Sequence, residues 1–296
     1  MHWQPLMAAS RPGFLILAVL CVGLALALVA RQSVAIAPLH GVLILLAALL
    51  AHIAVNLLNE YDDFRSGLDA ITQRTPFSGG SGALPAEPAA ASLVGWGALL
   101  SLGLVVGMGL YFVWLRGGAL LPLGAGGVVL VMAYTRWLTR SPLLCLLAPG
   151  LGFAIVVMGS LLALGGELTA AVWTVTLVVL LLVSELLLLN QFPDIEADRE
   201  VGRQHLLIAF GKGVGARVVA GLVLAAYGVI AIGIGQGILP TLCVLALIPL
   251  PVMAWLSVKL NVTHSSEEPA WPPLLAANVA ALLSTLALLL VGLWWG

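Results

Sequence analysis

Residues 36–69 read IAPLHGVLILLAALLAHIAVNLLNEYDDFRSGLD. Their first part, 36–58, is apolar on nearly every helical face. As a helix rising about 1.5 Å per residue it is long enough to cross a hydrocarbon core of about 30 Å. Polar groups then arrive together, with Asn56, Asn59, Glu60, Asp62, Asp63, Arg65 and Asp69 in quick succession. A long apolar helix that ends in carboxamides and carboxylates predicts a membrane protein whose chemistry sits at one surface rather than at mid-bilayer.

The rest of the chain repeats the first half of that pattern. Further apolar runs lie at roughly 13–30, 89–115, 118–138, 142–164, 168–192, 214–235, 238–260 and 272–295, which with 36–58 makes nine. The expectation is an all-α, polytopic membrane protein of nine transmembrane helices forming a single domain over residues 1–296. No small-residue cleavage site follows the first run, so it is expected to be a span and not a signal peptide. Composition agrees: 61% of the 296 residues are hydrophobic and 8% are charged, against roughly 25% charged in a soluble protein. Too little charge is present to cover a water-exposed surface, which excludes a soluble enzyme and a disordered chain. A net charge of −1 offers no basic excess for nucleic acid. Cys21, Cys145 and Cys243 lie inside apolar runs without metal-ligand spacing and read as small core residues.

Lysine and arginine set the orientation. With the N-terminus in the cytoplasm, ten basic residues (Arg11, Arg65, Arg74, Arg136, Arg140, Arg199, Arg203, Lys212, Arg217 and Lys259) fall on the cytoplasmic side and two, Arg31 and Arg116, fall outside. Nine spans then put the C-terminus outside. The two least apolar connections, 59–88 and 190–213, share the cytoplasmic side, and among the acids only Glu167 falls in an outside loop. The Asn261-Val-Thr263 sequon falls on the cytoplasmic side and reads as chance. His40 and His264 have no partner at a useful spacing.

Two acidic motifs carry the chemistry. In the first, Asn59 and Asp63 are four residues apart; in the second, Asn190, Asp194 and Asp198 are spaced by four and four. On a helix this spacing stacks the side chains along one face, where like charges repel unless a cation joins them. Pro193 predicts an interrupted turn at the end of the sixth span. A donor set of Asp and Asn oxygens suits Mg²⁺ or Ca²⁺ rather than zinc. Mg²⁺ takes one or two carboxylates and fills its shell with phosphate oxygens and water. Arg65 and Arg74 after the first motif, Arg199 and Arg203 after the second, and Arg136 and Arg140 at another cytoplasmic end offer charge-assisted hydrogen bonds to phosphate. Between the first motif and the third span runs Arg74-Thr-Pro-Phe-Ser78-Gly79-Gly80-Ser81-Gly82. It reads either as an anion-facing backbone loop or as a linker, and lacks the lysine of a Walker motif.

At these residues the sequence resembles the UbiA superfamily of intramembrane prenyltransferases. Asn59-Glu60-Tyr61-Asp62-Asp63 and Asp194-Ile-Glu-Ala-Asp198 stand where that family carries its NDxxD-type and DxxxD motifs, and the likeness extends over essentially the whole chain. Within the superfamily it is most similar to the MenA-like branch, which prenylates 1,4-dihydroxy-2-naphthoate in menaquinone biosynthesis. The features that carry this are Gly67-Leu68-Asp69, Asn190 ahead of Asp194-Ile-Glu-Ala-Asp198, and Tyr134-Thr135 with Arg140 beyond. Glu60 departs from the family's usual Asp, Gly67 stands at its third acid with Asp69 two residues on, and His205 stands where relatives carry Thr or Ser.

The resemblance implies a UbiA-type helical bundle with its site on the cytoplasmic side. It implies Mg²⁺ as cofactor, a prenyl diphosphate and an aromatic small molecule as substrates, and membrane lipid around the chain. Asn59, Asp63, Asp194 and Asp198 would be the catalytic set, holding the metal with Asp69 and Asn190. Arg74, Arg140, Arg203 and Tyr134 would meet the diphosphate, and Tyr61 and Tyr134 would either anchor the chain at the interface or stabilise the allylic cation through a ring face. Alternative acceptors are 4-hydroxybenzoate, homogentisate and other quinone or lipid precursors. A transporter built on His52 and Glu185 is the alternative from another class. A CDP-alcohol phosphotransferase lacks its Asp-Gly-x-x-Ala-Arg pattern here.

Overall fold

The structure is a computed structural model that describes residues 3–262 and 269–296. Thr263 of the sequon and His264 lie outside the described residues. Within them the chain is helical, with no strand: α1 (Trp3–Ala9), α2 (Ile16–Arg31), α3 (Pro38–Ser66), α4 (Leu68–Ile71), α5 (Ala83–Ala86), α6 (Ala91–Arg116), α7 (Leu120–Ala133), α8 (Pro142–Ala163), α9 (Ala170–Asn190), α10 (Ile195–Glu200), α11 (Leu206–Phe210), α12 (Lys212–Gly235), α13 (Leu250–Val262) and α14 (Trp271–Trp295). A 3₁₀ segment, Thr241–Leu247, leads into α13.

All nine apolar runs are helical, but they do not give nine full-length spans. Seven described helical stretches are long and apolar enough to cross a membrane, and an eighth arises if Trp3–Phe14 and Ile16–Arg31, which meet at a 48° bend, count as one. The run at 118–138 yields only the 14 residues of α7, about 21 Å of helix. It stops because the chain leaves the helix at Tyr134. Thr139 N–H then bonds back to Tyr134 C=O at 3.1 Å, and Gln204 N–H from the second motif's loop bonds to Thr139 C=O at 2.9 Å. The apolar count read through this turn because its neighbours Trp137 and Leu138 are themselves apolar. The chain is a multi-pass membrane protein.

Local chemistry explains the ends of α3. Pro38 occupies the first turn, where its missing N–H costs nothing. Gly67 closes the helix at φ 82°, a left-handed position natural to glycine. The helix therefore runs past the apolar stretch to Ser66, with Asp63 still in its last turn. The most enclosed helix is α9, packed against α8, α12, α14 and α2. A Cβ on Gly150 of α8 would collide with Leu180 C=O and Ser184 Oγ of α9, so glycine sets how closely those two helices approach.

Glu185 is buried within this core, where Asn278 Nδ2 of α14 donates to its Oε2 at 3.2 Å. Tyr227 and Thr285 share a second buried bond of 2.7 Å between α12 and α14. These pairs tie helices together away from the cavity described below, so Glu185 is a packing group.

Candidate active site

The C-terminal ends of α3 and α9 and the segment after α7 meet at one end of the bundle, around a cavity of about 200 Å³. On α3, His52, Asn56, Asn59 and Asp63 all line it. Their spacing of four, three and four keeps them on one helical face. Tyr61 falls on another face. It packs with Leu57 and Val94 and holds Arg65 over its ring at 5.7 Å, so it does not reach the cavity. Tyr134 does line it.

The second motif is not one continuous helix. Asn190 ends α9, a turn over 191–194 containing Pro193 breaks the helix, and Asp194 precedes α10. Asp198 N–H bonds to Asp194 C=O at 2.9 Å, so these two acids sit one helical turn apart on the new helix. Gly202 at φ 80° then reverses the chain and returns Arg203 to Asp198, whose C=O accepts the Arg203 N–H at 3.0 Å. Asn190, Asp194, Asp198 and Arg203 all line the same cavity as the α3 residues, as does Asp69 of α4.

Arg203 is the hinge between the motifs. Its Nη1 donates to Asp198 Oδ1 at 2.8 Å and its Nη2 forms a short bond to Asp63 Oδ1. Burial opposes the Arg203 charge, but Asp63 and Asp198 outweigh it and hold the guanidinium protonated above its ordinary range. His205 Nε2 lies 3.2 Å from the other Asp198 oxygen. Asn59 Oδ1 accepts from Thr135 Oγ1 at 2.9 Å. Asn59, Asp63 and Asp198 are thus engaged with protein partners.

Three other oxygens have none. Asp69 Oδ2, Asn190 Oδ1 and Asp194 Oδ1 are buried without a hydrogen-bond partner, and their residues line one cavity. Buried polar atoms without partners are costly and mark places where an absent group belongs. Burial pushes the Asp69 carboxyl up to about 7, reinforced by Glu60 and Asp63 and opposed by Arg74 and Arg11. Asp194 is likewise pushed up to about 7 by burial and by Asp198, against Arg203, Arg11 and a backbone hydrogen bond from Gly79. Both carboxylates therefore favour an added positive charge. An all-oxygen set of this kind fits a hard divalent cation. Among the described residues no three Asp, Glu, His or Cys groups form a ready-made cage. That suits an ion that takes one or two carboxylates and completes its shell from a bound ligand.

The arginines separate. Arg203 is in the cavity. Arg140 is not: the 3₁₀ turn Leu138–Arg140 buries Thr139 and leaves Arg140 exposed. Arg136 is tied to Asp62 through two bonds of 2.9 Å on the outer surface. Arg74 stops short of the cavity; its Nη2 donates to Asp69 C=O at 3.0 Å and its guanidinium lies against Gly82. A Cβ at Gly82 would fall 2.5 Å from Arg74 Nη1, and one at Gly80 2.6 Å from Asp69 Oδ1. Both glycines also adopt positive φ, so a larger residue at either position would strain the backbone and displace the Arg74 or Asp69 side chain. Ser78, Gly79 and Gly80 form part of the cavity wall, so the Gly/Ser run is a built loop.

Arg11, His52 and Asn56 also line the cavity, beyond the residues assigned to the site from the sequence. Arg11 reaches the cavity because the chain turns at φ 48°, ψ 65° before Pro12. His52 looked like an isolated intramembrane histidine, though its position seven residues before Asn59 places it on the motif face. Asn56 was visible as the first polar residue of that face, and its Nδ2 donates to Ser10 C=O at 3.0 Å. Away from the motifs the wall turns apolar, with Phe14, Leu17, Phe153, Leu187 and Leu282 among its residues.

The family model described as the UbiA prenyltransferase family matches residues 15–279. No curated protein matches the sequence. Among solved structures, the chain is similar to the apo structure of a UbiA homologue from Aeropyrum pernix K1, with 15% identity, TM-score 0.72 and coverage of 94% of this chain and 98% of the other. A structure of digeranylgeranylglyceryl phosphate synthase in membranes aligns with 15% identity and TM-score 0.71 over 99% of both chains. A UbiA homologue from Archaeoglobus fulgidus bound to GPP and Mg²⁺ aligns with 14% identity and TM-score 0.61 over 96% of this chain and 99% of that one.

Proposed function

Because this chain belongs to the UbiA prenyltransferase family, and is therefore an enzyme of prenyl transfer, we propose that it moves an isoprenyl group from a prenyl diphosphate to an aromatic acceptor in an Mg²⁺-dependent reaction. The observation that carries this reading is the meeting of both acidic motifs at one cavity, with three unpartnered buried oxygens at its polar end and apolar side chains beyond. The Mg²⁺ and GPP bound to the Archaeoglobus fulgidus homologue support it.

Asp69, Asn190 and Asp194 would hold the metal, with Asp63, Asp198 and Asn59 beside them. The metal supplies Lewis-acid neutralisation of the diphosphate oxygens. Arg203 places a fixed positive charge between the motifs, where negative charge grows as the allylic carbon–oxygen bond breaks and its electron pair leaves with pyrophosphate. The apolar wall from Phe14 to Leu282 excludes water from the resulting cation, which favours attack by the acceptor ring over hydrolysis. Tyr134 presents a ring to the same space. The ring carbon forms the new bond and loses a proton or, for a carboxylated acceptor, CO₂. No enzyme nucleophile is needed.

We place the site on the cytoplasmic side, with the N-terminus inside and the C-terminus outside, on the ten-to-two division of basic residues. For the acceptor we propose 1,4-dihydroxy-2-naphthoate. Asp69 supports this: it brings a free carboxylate oxygen to the cavity from two residues beyond Gly67, as the Gly67-Leu68-Asp69 pattern implies. The test is product analysis by mass spectrometry after incubating purified protein and Mg²⁺ with prenyl diphosphates of several lengths and a panel of aromatic acceptors. Prenylated naphthoquinol from the naphthoate is the expected product. Product only from 4-hydroxybenzoate or homogentisate would reassign the acceptor, and transfer to none would overturn the reading.

A further inference from the structure

Glu60 is the one acid of the first motif's Asn-Glu-x-x-Asp core that stands behind the cavity and holds its wall. It follows Asn59 on α3, and a step of about 100° around the helix turns it off the lining face. It is 1% exposed and does not line the cavity. Its carboxylate is nonetheless fully engaged. Ser81 N–H donates to Oε2 at 3.0 Å and to Oε1 at 3.2 Å, and Ser81 Oγ makes a short bond to Oε1. Arg11 Nη2 lies 3.7 Å from Oε2.

Ser81 and Arg11 belong to different segments. Ser81 ends the loop 75–81, and Arg11 begins the elbow that leads into α2. A second hollow opens between these segments, lined by Pro12 and Phe14 on one side and by Thr75, Phe77 and Ser81 on the other. Arg11, Gly13, Phe14, Phe77, Ser78 and Gly80 line both spaces, so the two segments form the wall that the cavity shares with this second hollow. Neither segment is part of a long helix. The elbow turns on a left-handed Arg11, and the loop on Gly79, Gly80 and Gly82 at φ 76–78°. Such backbone needs outside anchors to keep one shape. A fully buried carboxylate that bonds one segment and pairs with the other is such an anchor.

We infer that Glu60 is a positioning residue that latches the Gly/Ser loop and the N-terminal elbow together at this shared wall, shaping the space for the polar head of the diphosphate substrate. The latch follows from the contacts alone, and only the identity of what enters rests on the prenyl-transfer reading. Glu60→Gln removes the charge that faces Arg11 and leaves a single acceptor oxygen. Ser81→Ala removes one hydroxyl from the loop and remains informative if Glu60→Gln fails to fold.

The measurement is amide hydrogen exchange of wild type and both variants in the same detergent, with steady-state kinetics on the prenyl diphosphate. Exchange in 10–14 and 75–83 should rise about tenfold or more, as expected for loss of a charge-assisted hydrogen bond, while α9 stays as in wild type. KM for the prenyl diphosphate should rise about tenfold with kcat changed less than about twofold, since the metal-holding residues are intact. Glu60→Asp keeps the charge and should recover part of both effects. Unchanged exchange in both segments, or a rise spread evenly through α3 and α9, would overturn the latch. Local opening in a protein whose wild type transfers no prenyl group would leave the latch standing and count against the function alone.

Discussion

Asp194→Ala should lower prenyl transfer by roughly 10²–10³-fold, the loss typical of one transition-state charge-stabilising group, while the protein still inserts and purifies as wild type does. Asp194 is half-buried, has one carboxylate oxygen without a partner, and lies at the cavity between Asn190 and Asp198. Removing it deletes a proposed metal ligand without exposing another buried charge, because Arg203 bonds Asp63 and Asp198 instead. The fold should therefore survive, and circular dichroism with a detergent melting curve should show little change. Asp63→Ala should be as inactive but less benign, since it takes away one of the two carboxylates that hold Arg203. Full turnover by either variant would refute the proposed site.

Arg203→Ala should cost both activity and stability. Its side chain is 17% exposed and bridges Asp63 and Asp198, which are 8% and 3% exposed. Removing one member of a buried ionic cluster leaves the others uncompensated, at about 3–5 kcal/mol in comparable cases. The two carboxylates would then repel across the join between α3 and α10. A lowered melting temperature is expected, partly restored by adding Asp63→Asn, together with a loss of transfer that this second change does not restore. Arg203→Lys should recover little, because a single ammonium cannot reproduce the fork that reaches both carboxylates. A stable and active Arg203→Ala protein would show that the bridge has no part in holding the motifs together.

Much of this was legible in the sequence, for identifiable reasons. The period of four between Asn59 and Asp63 was read as one helical face, and α3 keeps it. Pro193 was read as an interruption, and the helix breaks there. The length of the fourth apolar run was misread because hydropathy does not sense the turn at Tyr134, which is fixed by bonds to Thr139 and onward to Gln204, some seventy residues away. Arg140 was expected at the diphosphate, but a basic residue near a motif points wherever its turn sends it, and this turn sends Thr139 inward. Arg11 and Glu60 were hidden for a related reason. Their partners are 49 and 21 positions apart in sequence, and pairing at that range depends on tertiary packing rather than on local pattern. His52 was visible only as a lone polar residue in a span, until its register with Asn59 placed it on the motif face.

In the proposed reaction both motifs together hold a divalent cation against the diphosphate of the substrate. The most direct measurement is pyrophosphate release by the purified wild-type protein, with prenyl diphosphate and acceptor saturating, as Mg²⁺ is titrated and then removed with EDTA. The expected result is release that rises and saturates with Mg²⁺, disappears on chelation, and returns when Mg²⁺ is restored. Release that continues undiminished in EDTA would show that no divalent cation takes part and would overturn the proposed metal–diphosphate site.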